Sequence, residues 1–147
     1  MMPRRQPEKG RAPSEEGSDA SQAKREGRKI VLLVDDEPDI LHSLKEFLES
    51  KLGVRALLAS DAESALRILT TVKPHLMIVD QMLPGMTGLM LIQEARKVHP
   101  TLVAVLVTGQ PQQAAALVAV ARDGLTHGFM KPLTTAPFVE RLRELLH

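Results

Sequence analysis

Five side chains able to bind a cation or a phosphoryl group lie where predicted β-strands end. Asp35 and Asp36 follow the run IVLLV, Asp80 ends LMIVD, Thr108 follows VAVLV and Lys131 follows GFM. In an open parallel sheet, functional groups collect beyond the carboxyl ends of the strands. Any one of these residues is explained by a polar side chain that leaves a buried strand and caps the next helix. Four such strand ends together favour a common site.

The chemistry of this set is that of carboxylates facing positive charge. Neighbouring carboxylates raise the cost of ionising one another, and a divalent cation offsets that cost. Mg²⁺ prefers oxygen ligands and is commonly held by one or two carboxylates. A carboxylate can also attack phosphorus to give an aspartyl phosphate, a transfer that needs positioning and charge neutralisation. Mg²⁺ and Lys131 would supply the positive charge and Thr108 a hydroxyl donor, so we interpret the acidic pair as half of a Mg²⁺ site.

The elements that must position these residues alternate along the chain from Lys29 onward. Short apolar runs and longer amphipathic stretches are typical of βαβ units around a parallel sheet. Pro84-Gly85 is a turn signal, and Gly88 is interpreted as a helix-start residue. The predicted strands span 30–34, 55–59, 76–80, 103–107 and 128–130, and the predicted helices span about 38–51, 61–72, 88–98, 111–122 and 136–146.

Length and composition predict one domain preceded by a tail. The 147 residues leave no room for a second globular domain of ordinary size. Residues 1–28 lack Val, Leu, Ile and Phe and mix Pro, Gly, Ser and both signs of charge. We therefore expect a disordered arm over 1–28, with a weak helical tendency near DASQAKRE, and an ordered domain over 29–147. A docking or localising peptide is the functional alternative for the arm.

Charge and hydropathy exclude several classes of function. The formal net charge of +1 gives no reason to expect binding to nucleic acid or to anionic lipid. The chain has no cysteine, which excludes disulfides and thiolate metal sites. No segment approaches the roughly 20 apolar residues of a membrane span, and no secretion signal is evident. We expect a cytoplasmic protein whose partners are proteins or small molecules.

Over about 29–147 the sequence resembles the receiver domain of two-component response regulators. The motifs VDDEPD, VDQMLPGMTG, VTG and MKPL stand in the order of that family and at similar spacing. The resemblance implies an α/β, flavodoxin-like (βα)5 doubly wound sandwich, with a five-stranded parallel sheet in order 2-1-3-4-5 and helices on both faces. It also implies that Pro132 follows a cis peptide bond.

The same resemblance assigns roles to the site residues. It implies that Asp80 is the phosphoacceptor for a histidine kinase or phosphotransfer protein. It implies that Lys131 contacts the phosphoryl group and that Thr108 reorients toward it. The implied Mg²⁺ site comprises Asp35, which acts largely through water, together with Asp36, Asp80 and the backbone carbonyl of Met82.

Gly128 departs from the family pattern. Most receivers place Tyr or Phe three residues before the lysine of the fifth strand, where the ring swings inward together with the threonine. Phe129 follows, but strand alternation directs it to the opposite face unless a bulge shifts the register. The missing aromatic leaves the phosphorylation chemistry intact and changes how phosphorylation is read out.

The predicted fourth helix, 111–122, is rich in alanine and valine and carries almost no charge before Arg122. A helix that is apolar on so many sides either packs unusually deeply or offers an exposed patch to a partner, and we favour the exposed patch. We therefore expect a downstream protein to dock on the fourth helix and the face of the fifth strand. Few complementary charges are available there for the dimer contact of winged-helix regulators, so we expect a monomer or a weak dimer.

Three functional classes remain at this point. The first is a stand-alone receiver of the chemotaxis-regulator type that signals by protein contact, an expectation based on the chain ending with the fifth helix. The second is a non-phosphorylated pseudo-receiver that acts as an interaction adaptor, for which Gly128 is the argument. The third is a hydrolase with an aspartyl intermediate, which needs a second acid/base carboxylate close after the nucleophile. Gln81 and Met82 follow Asp80 instead, which disfavours the third class.

Overall fold

The sheet has the predicted architecture. The computed structural model describes residues 20–110, 112 and 124–147. Five parallel strands lie in the order β2-β1-β3-β4-β5, which confirms the predicted fold class and strand order. The first three strands have the predicted bounds, the fourth lies one residue later, and the fifth begins two residues earlier. They are β1 Ile30–Val34, β2 Arg55–Ala59, β3 Leu76–Asp80, β4 Ala104–Thr108 and β5 Thr126–Met130.

Helices cover both faces of the sheet. One buried layer lies between the sheet and two helices, α2 (Ala62–Leu69) and α3 (Gly88–Val98). The other layer lies between the sheet and α1 (Pro38–Leu52) with the C-terminal helix (Ala136–Leu145). Because both faces are covered, β1, β3 and β4 are buried along their whole length, as their continuous apolar runs require.

The helix bounds follow local capping signals. The side chains of Asp61, Thr87 and Thr135 each accept a hydrogen bond from the first turn of the helix that follows. Gly53, with φ of 68°, ends α1 in the left-handed conformation. The predicted helix over 111–122 lies outside the described residues, apart from residue 112. Of the helices in the described ranges, none is long and apolar enough to cross a membrane.

The end of the expected N-terminal arm packs against the domain. Residues 20–25 are helical, where the helical tendency was noted, and Ala23 is fully buried in the layer that contains α2 and α3. The Arg28 N–H donates to the Ala23 carbonyl at 2.8 Å. The structure therefore differs from the expected disordered arm over 20–28, because Ala20 and Ala23 share a helix face small enough to fit against the sheet. Residues 1–19 lie outside the described residues.

Candidate metal and phosphoryl site

Three carboxylates meet at the carboxyl edge of the sheet, as the strand-end pattern predicts. Asp35 and Asp36 follow β1, and Asp80 is the last residue of β3. One carboxylate oxygen from each lies within 4.8 Å of the others. Asp35 and Asp80 are buried, whereas Asp36 is exposed. β1 and β3 are neighbouring parallel strands in the centre of the sheet, so their ends place these oxygens side by side.

Backbone amides fix one oxygen of each buried carboxylate. The Glu37 N–H donates to Asp35 Oδ1 at 2.9 Å, and the Met82 N–H donates to Asp80 Oδ1 at 3.0 Å. In both cases the donor lies two residues after the aspartate, the local turn that aspartate favours. Each carboxylate is therefore oriented by its own loop, and its second oxygen, Oδ2, is left to face the site.

The Lys131 ammonium lies between the Oδ2 atoms of Asp80 and Asp35. Its Nζ lies 3.0 Å from Asp80 Oδ2 and 3.6 Å from Asp35 Oδ2. The two carboxylate side chains are 9% exposed and the lysine side chain is 29% exposed, so the lysine keeps more contact with solvent than the carboxylates it pairs with. The Lys131 N–H donates to the Thr108 carbonyl at 2.9 Å, which ties the lysine to the end of β4. The Lys131–Pro132 peptide bond is cis, as implied by the family resemblance.

Burial and charge shift the pKa values of two of these groups. Burial raises the pKa of Asp35 and the charge of Asp80 adds to the rise, which the Glu37 N–H and Lys131 only partly offset. Burial acts to lower the pKa of Lys131, but the hydrogen bond and charge of Asp80 and the charge of Asp35 outweigh it and raise that pKa. The site thus holds more negative charge than one ammonium neutralises.

Thr108 reaches the same edge with a buried side chain. It is the last residue of β4, and its Oγ1 accepts a hydrogen bond from the Gln110 N–H at 3.1 Å. Among the described residues, the partner of this hydroxyl is the loop that follows β4. Because the oxygen acts as the acceptor there, the hydroxyl proton remains available for donation to another group.

Two contacts in the β3–α3 connection were not identified from the sequence, although Gly88 was interpreted as a helix-start residue. A Cβ on Gly88 would lie 2.5 Å from the Asp80 carbonyl oxygen and 2.8 Å from Leu106 Cδ1, so this glycine allows α3 to begin against the end of β3. Gly85, with φ of 77°, is the turn residue that the sequence indicates. Gln81 is buried and hydrogen-bonded to α3. The spacing between Asp80 and Gly88 gave no sign of either contact.

The fifth strand keeps a regular register around Gly128. Gly128 pairs with Leu106, and Phe129 pairs with Val107. Phe129 packs edge-to-face on Phe138 of the C-terminal helix, with ring centroids 5.1 Å apart, in the layer that also contains α1. Phe129 therefore lies on the face opposite the one shared by Gly128 and Thr108, as strand alternation predicts, and it does not replace the missing ring.

Comparison with known proteins gives a consistent result. The family model described as "Response regulator receiver domain" matches residues 31–143. The hydrogenase transcriptional regulatory protein HoxA of Cupriavidus necator is 26% identical over 114 residues, which is 78% of this chain and 23% of that protein. The Regulator of RpoS of Escherichia coli is 33% identical over 118 residues, or 80% of this chain and 34% of that protein.

A solved structure extends the similarity to three dimensions. The response regulator protein TrrA from Thermotoga maritima, solved in complex with Mg²⁺ and BeF, gives a TM-score of 0.70 at 30% identity. The similarity covers 80% of this chain and 99% of TrrA. The chain thus matches nearly all of that structure, whereas it spans only 34% and 23% of the lengths of the two curated relatives.

Proposed function

The chain belongs to the response regulator receiver domain family, and on that basis we propose that Asp80 accepts a phosphoryl group from a histidine kinase or a phosphotransfer protein. The family is a signalling domain rather than a classical enzyme, and it interacts with kinases or phosphotransfer proteins and with downstream targets. The observation that carries the proposal is the position of Asp80, with Lys131 at 3.0 Å and two further carboxylates nearby.

The donor set fits Mg²⁺, which receivers of this family typically bind in an acidic pocket. Hard oxygen donors from three carboxylates lie close enough to share one cation, and one ammonium leaves their charge unbalanced. The residues that would hold the ion are Asp35, Asp36, Asp80 and the carbonyl of Met82, with Asp35 acting largely through water. When bound, Mg²⁺ would neutralise phosphoryl oxygens during transfer.

In the proposed transfer, a phosphoryl group moves from a phosphohistidine of the donor to Asp80. A carboxylate oxygen of Asp80 attacks phosphorus, a P–O bond forms, and the P–N bond of the donor's phosphohistidine breaks. The imidazole nitrogen that leaves keeps the electron pair of the broken bond. The Met82 N–H holds the carboxylate in position, Lys131 places positive charge beside the new phosphoryl group, and the Thr108 hydroxyl donates a hydrogen bond to a phosphoryl oxygen.

We propose that this domain signals by binding a downstream protein. We place the docking surface on the predicted helix 111–122 and the adjoining face of β5, and we expect a monomer or a weak dimer. The regular register at Gly128 favours a readout that does not use an aromatic ring. A non-phosphorylated adaptor is the second candidate, which Gly128 favours and the assembled carboxylates and Lys131 disfavour.

The experiment is phosphorylation with a small phosphodonor or a phosphorylated histidine kinase in the presence of Mg²⁺, followed by mass spectrometry. We expect one phosphate on Asp80 and none in Asp80→Asn. Asp61→Asn is the matched control, because asparagine caps α2 as well as aspartate does and Asp61 is no part of the site. Phosphate on another residue, or none under conditions that modify an ordinary receiver, would overturn the proposal and leave the adaptor.

A further inference from the structure

Gln81 is the residue between the phosphoacceptor Asp80 and Met82, and it is 8% exposed. A buried amide must find hydrogen-bond partners, and its oxygen accepts from the Leu89 N–H at 3.0 Å. Because Leu89 offers a donor, the amide oxygen and not the nitrogen must face it. The side chain therefore spans from the end of β3 to the first turn of α3.

The first turn of α3 depends on Gln81 for two of its hydrogen bonds. A helix leaves the N–H groups of its first turn without partners inside the helix. Here the Gly88 N–H donates to the Gln81 carbonyl at 3.0 Å, and the Leu89 N–H donates to the Gln81 side chain. Thr87 Oγ1 accepts the next N–H, from Met90, at 3.1 Å. Gln81 thus provides most of the N-terminal cap of α3, although it lies six residues before the N-cap.

Gln81 is also hydrogen-bonded to β4, next to the Asp80 site. The Gln81 N–H donates to the Val107 carbonyl of β4 at 2.8 Å, while the neighbouring Met82 N–H holds Asp80 Oδ1 at 3.0 Å. On the other side, Gly88 lies so close to the Asp80 carbonyl that a Cβ would be 2.5 Å from its oxygen. Gln81 therefore connects the loop that orients the Asp80 carboxylate with the start of α3.

We propose that Gln81 is a positioning residue that couples the occupancy of the Asp80 site to the first turn of α3. The inference rests on the proposed function, because it takes Mg²⁺ and a phosphoryl group as the occupants. In this scheme the start of α3 is a second output of the domain, separate from the fourth helix and β5.

The test is amide hydrogen exchange at Leu89, measured by NMR without ligand and with Mg²⁺ plus beryllofluoride. In Gln81→Met, which keeps the length but lacks the acceptor, we expect Leu89 to exchange about tenfold faster in the free protein, since one hydrogen bond is lost. In the wild type we expect the ligands to change Leu89 exchange at least about threefold, and in Gln81→Met we expect no change although the ligands still bind.

Matched variants separate coupling from a purely structural role. Gln93→Met makes the same substitution at an exposed position of α3 and should respond to the ligands as the wild type does. Gln81→Glu keeps an acceptor and places negative charge at a helix N-terminus, so it should restore the response. If Gln81→Met does not fold, Gln81→Asn, whose side chain is too short to reach Leu89, replaces it.

The outcomes distinguish the two proposals. If the wild type binds the ligands but Leu89 does not respond, or if Gln81→Met responds as strongly as the wild type, the coupling is overturned and the proposed function stands. If the wild type does not bind Mg²⁺ and beryllofluoride, the proposed function is overturned and the coupling with it. Unchanged Leu89 exchange in free Gln81→Met overturns the capping role itself.

Discussion

Replacing Lys131 by methionine tests whether its ammonium holds the two buried carboxylates together. At 3.0 and 3.6 Å, its attraction to each of Asp80 and Asp35 is about 5 kcal/mol before desolvation, at the effective dielectric constant of about 20 that suits proteins. Burial of the charges offsets most of this attraction, and the lysine side chain is 29% exposed to water. We therefore expect Lys131→Met to lower the free energy of unfolding by about 2 kcal/mol.

The assay is urea unfolding at pH 7 without Mg²⁺, with Lys97→Met as the matched control. Lys97 pairs with Glu94 at 2.8 Å, a shorter distance than in the site, but the two side chains are 70% and 43% exposed. An exposed pair of this kind contributes at most about 0.5 kcal/mol. The comparison therefore isolates burial, since the same substitution removes an ion pair in both variants.

The loss of stability in Lys131→Met relative to the wild type should depend on pH. The pKa of Asp35 in the folded protein already lies above the ordinary 3.8, and removing Lys131 raises it further. The folded variant then takes up a proton at a higher pH than the unfolded chain does, so its stability rises as pH falls toward 3.8. We expect the deficit of Lys131→Met to narrow on acidification from pH 7, and Mg²⁺ to stabilise this variant more than the wild type.

Two results would refute this reasoning. If Lys131→Met is as stable as the wild type at pH 7, then water alone is enough to offset the repulsion between the Asp35 and Asp80 carboxylates. A deficit that does not change between pH 7 and pH 4 would mean that Lys131→Met acts through lost packing of its side chain rather than through charge.

Three further predictions concern the metal, the start of α3 and the output face. Asp36→Ala should weaken Mg²⁺ binding more than Asp35→Ala, because Asp36 is proposed to touch the ion directly and Asp35 to act largely through water; equal losses in a calorimetric titration contradict this assignment. Gly88→Ala should destabilise the protein by about 1–3 kcal/mol through overpacking against Asp80, against at most about 1 kcal/mol of gain in helix propensity, and a neutral result in urea unfolding contradicts the close contact. Leu117→Asp should abolish the binding of a partner found by pull-down while Asp80 phosphorylation persists; binding that persists in the folded variant contradicts the output face.

The sequence predicts the bounds of β1, β2 and β3 and misses the start of β5. β1 and β3 are buried on both faces, so their apolar runs mark their ends directly. β5 lies at the edge of the sheet and begins at Thr126, whose polar side chain resembles a loop residue in sequence. Only the ladder pairing of Thr126 with Ala104 shows that the strand has begun.

Some features of the site follow from local sequence, and others depend on how the helices pack on the sheet. Residue type and strand position were enough to place Asp35, Asp36 and Asp80 together, because parallel strand ends must converge. The contact of Gly88 with the Asp80 carbonyl and the hydrogen bonds of Gln81 depend on how α3 packs against β3. No sequence pattern records that packing, so the contacts of these two residues are visible only in the structure.

A signal from an occupied Asp80 site has two routes to the surface of the domain, one through β5 and one through α3. The two routes use different contacts. On the β5 route, Gly128 has no side chain to move with Thr108, and Phe129 is held against Phe138 on the other face. On the α3 route, Gln81 accepts two hydrogen bonds from the first turn of α3, each contributing about 1 kcal/mol. A ligand can shift an equilibrium only by its differential interaction with the two states. The Gln81 contacts with α3 can therefore transmit up to about 2 kcal/mol, within the usual range of allosteric coupling, whereas the β5 route must work through backbone movement of Thr108 and its loop.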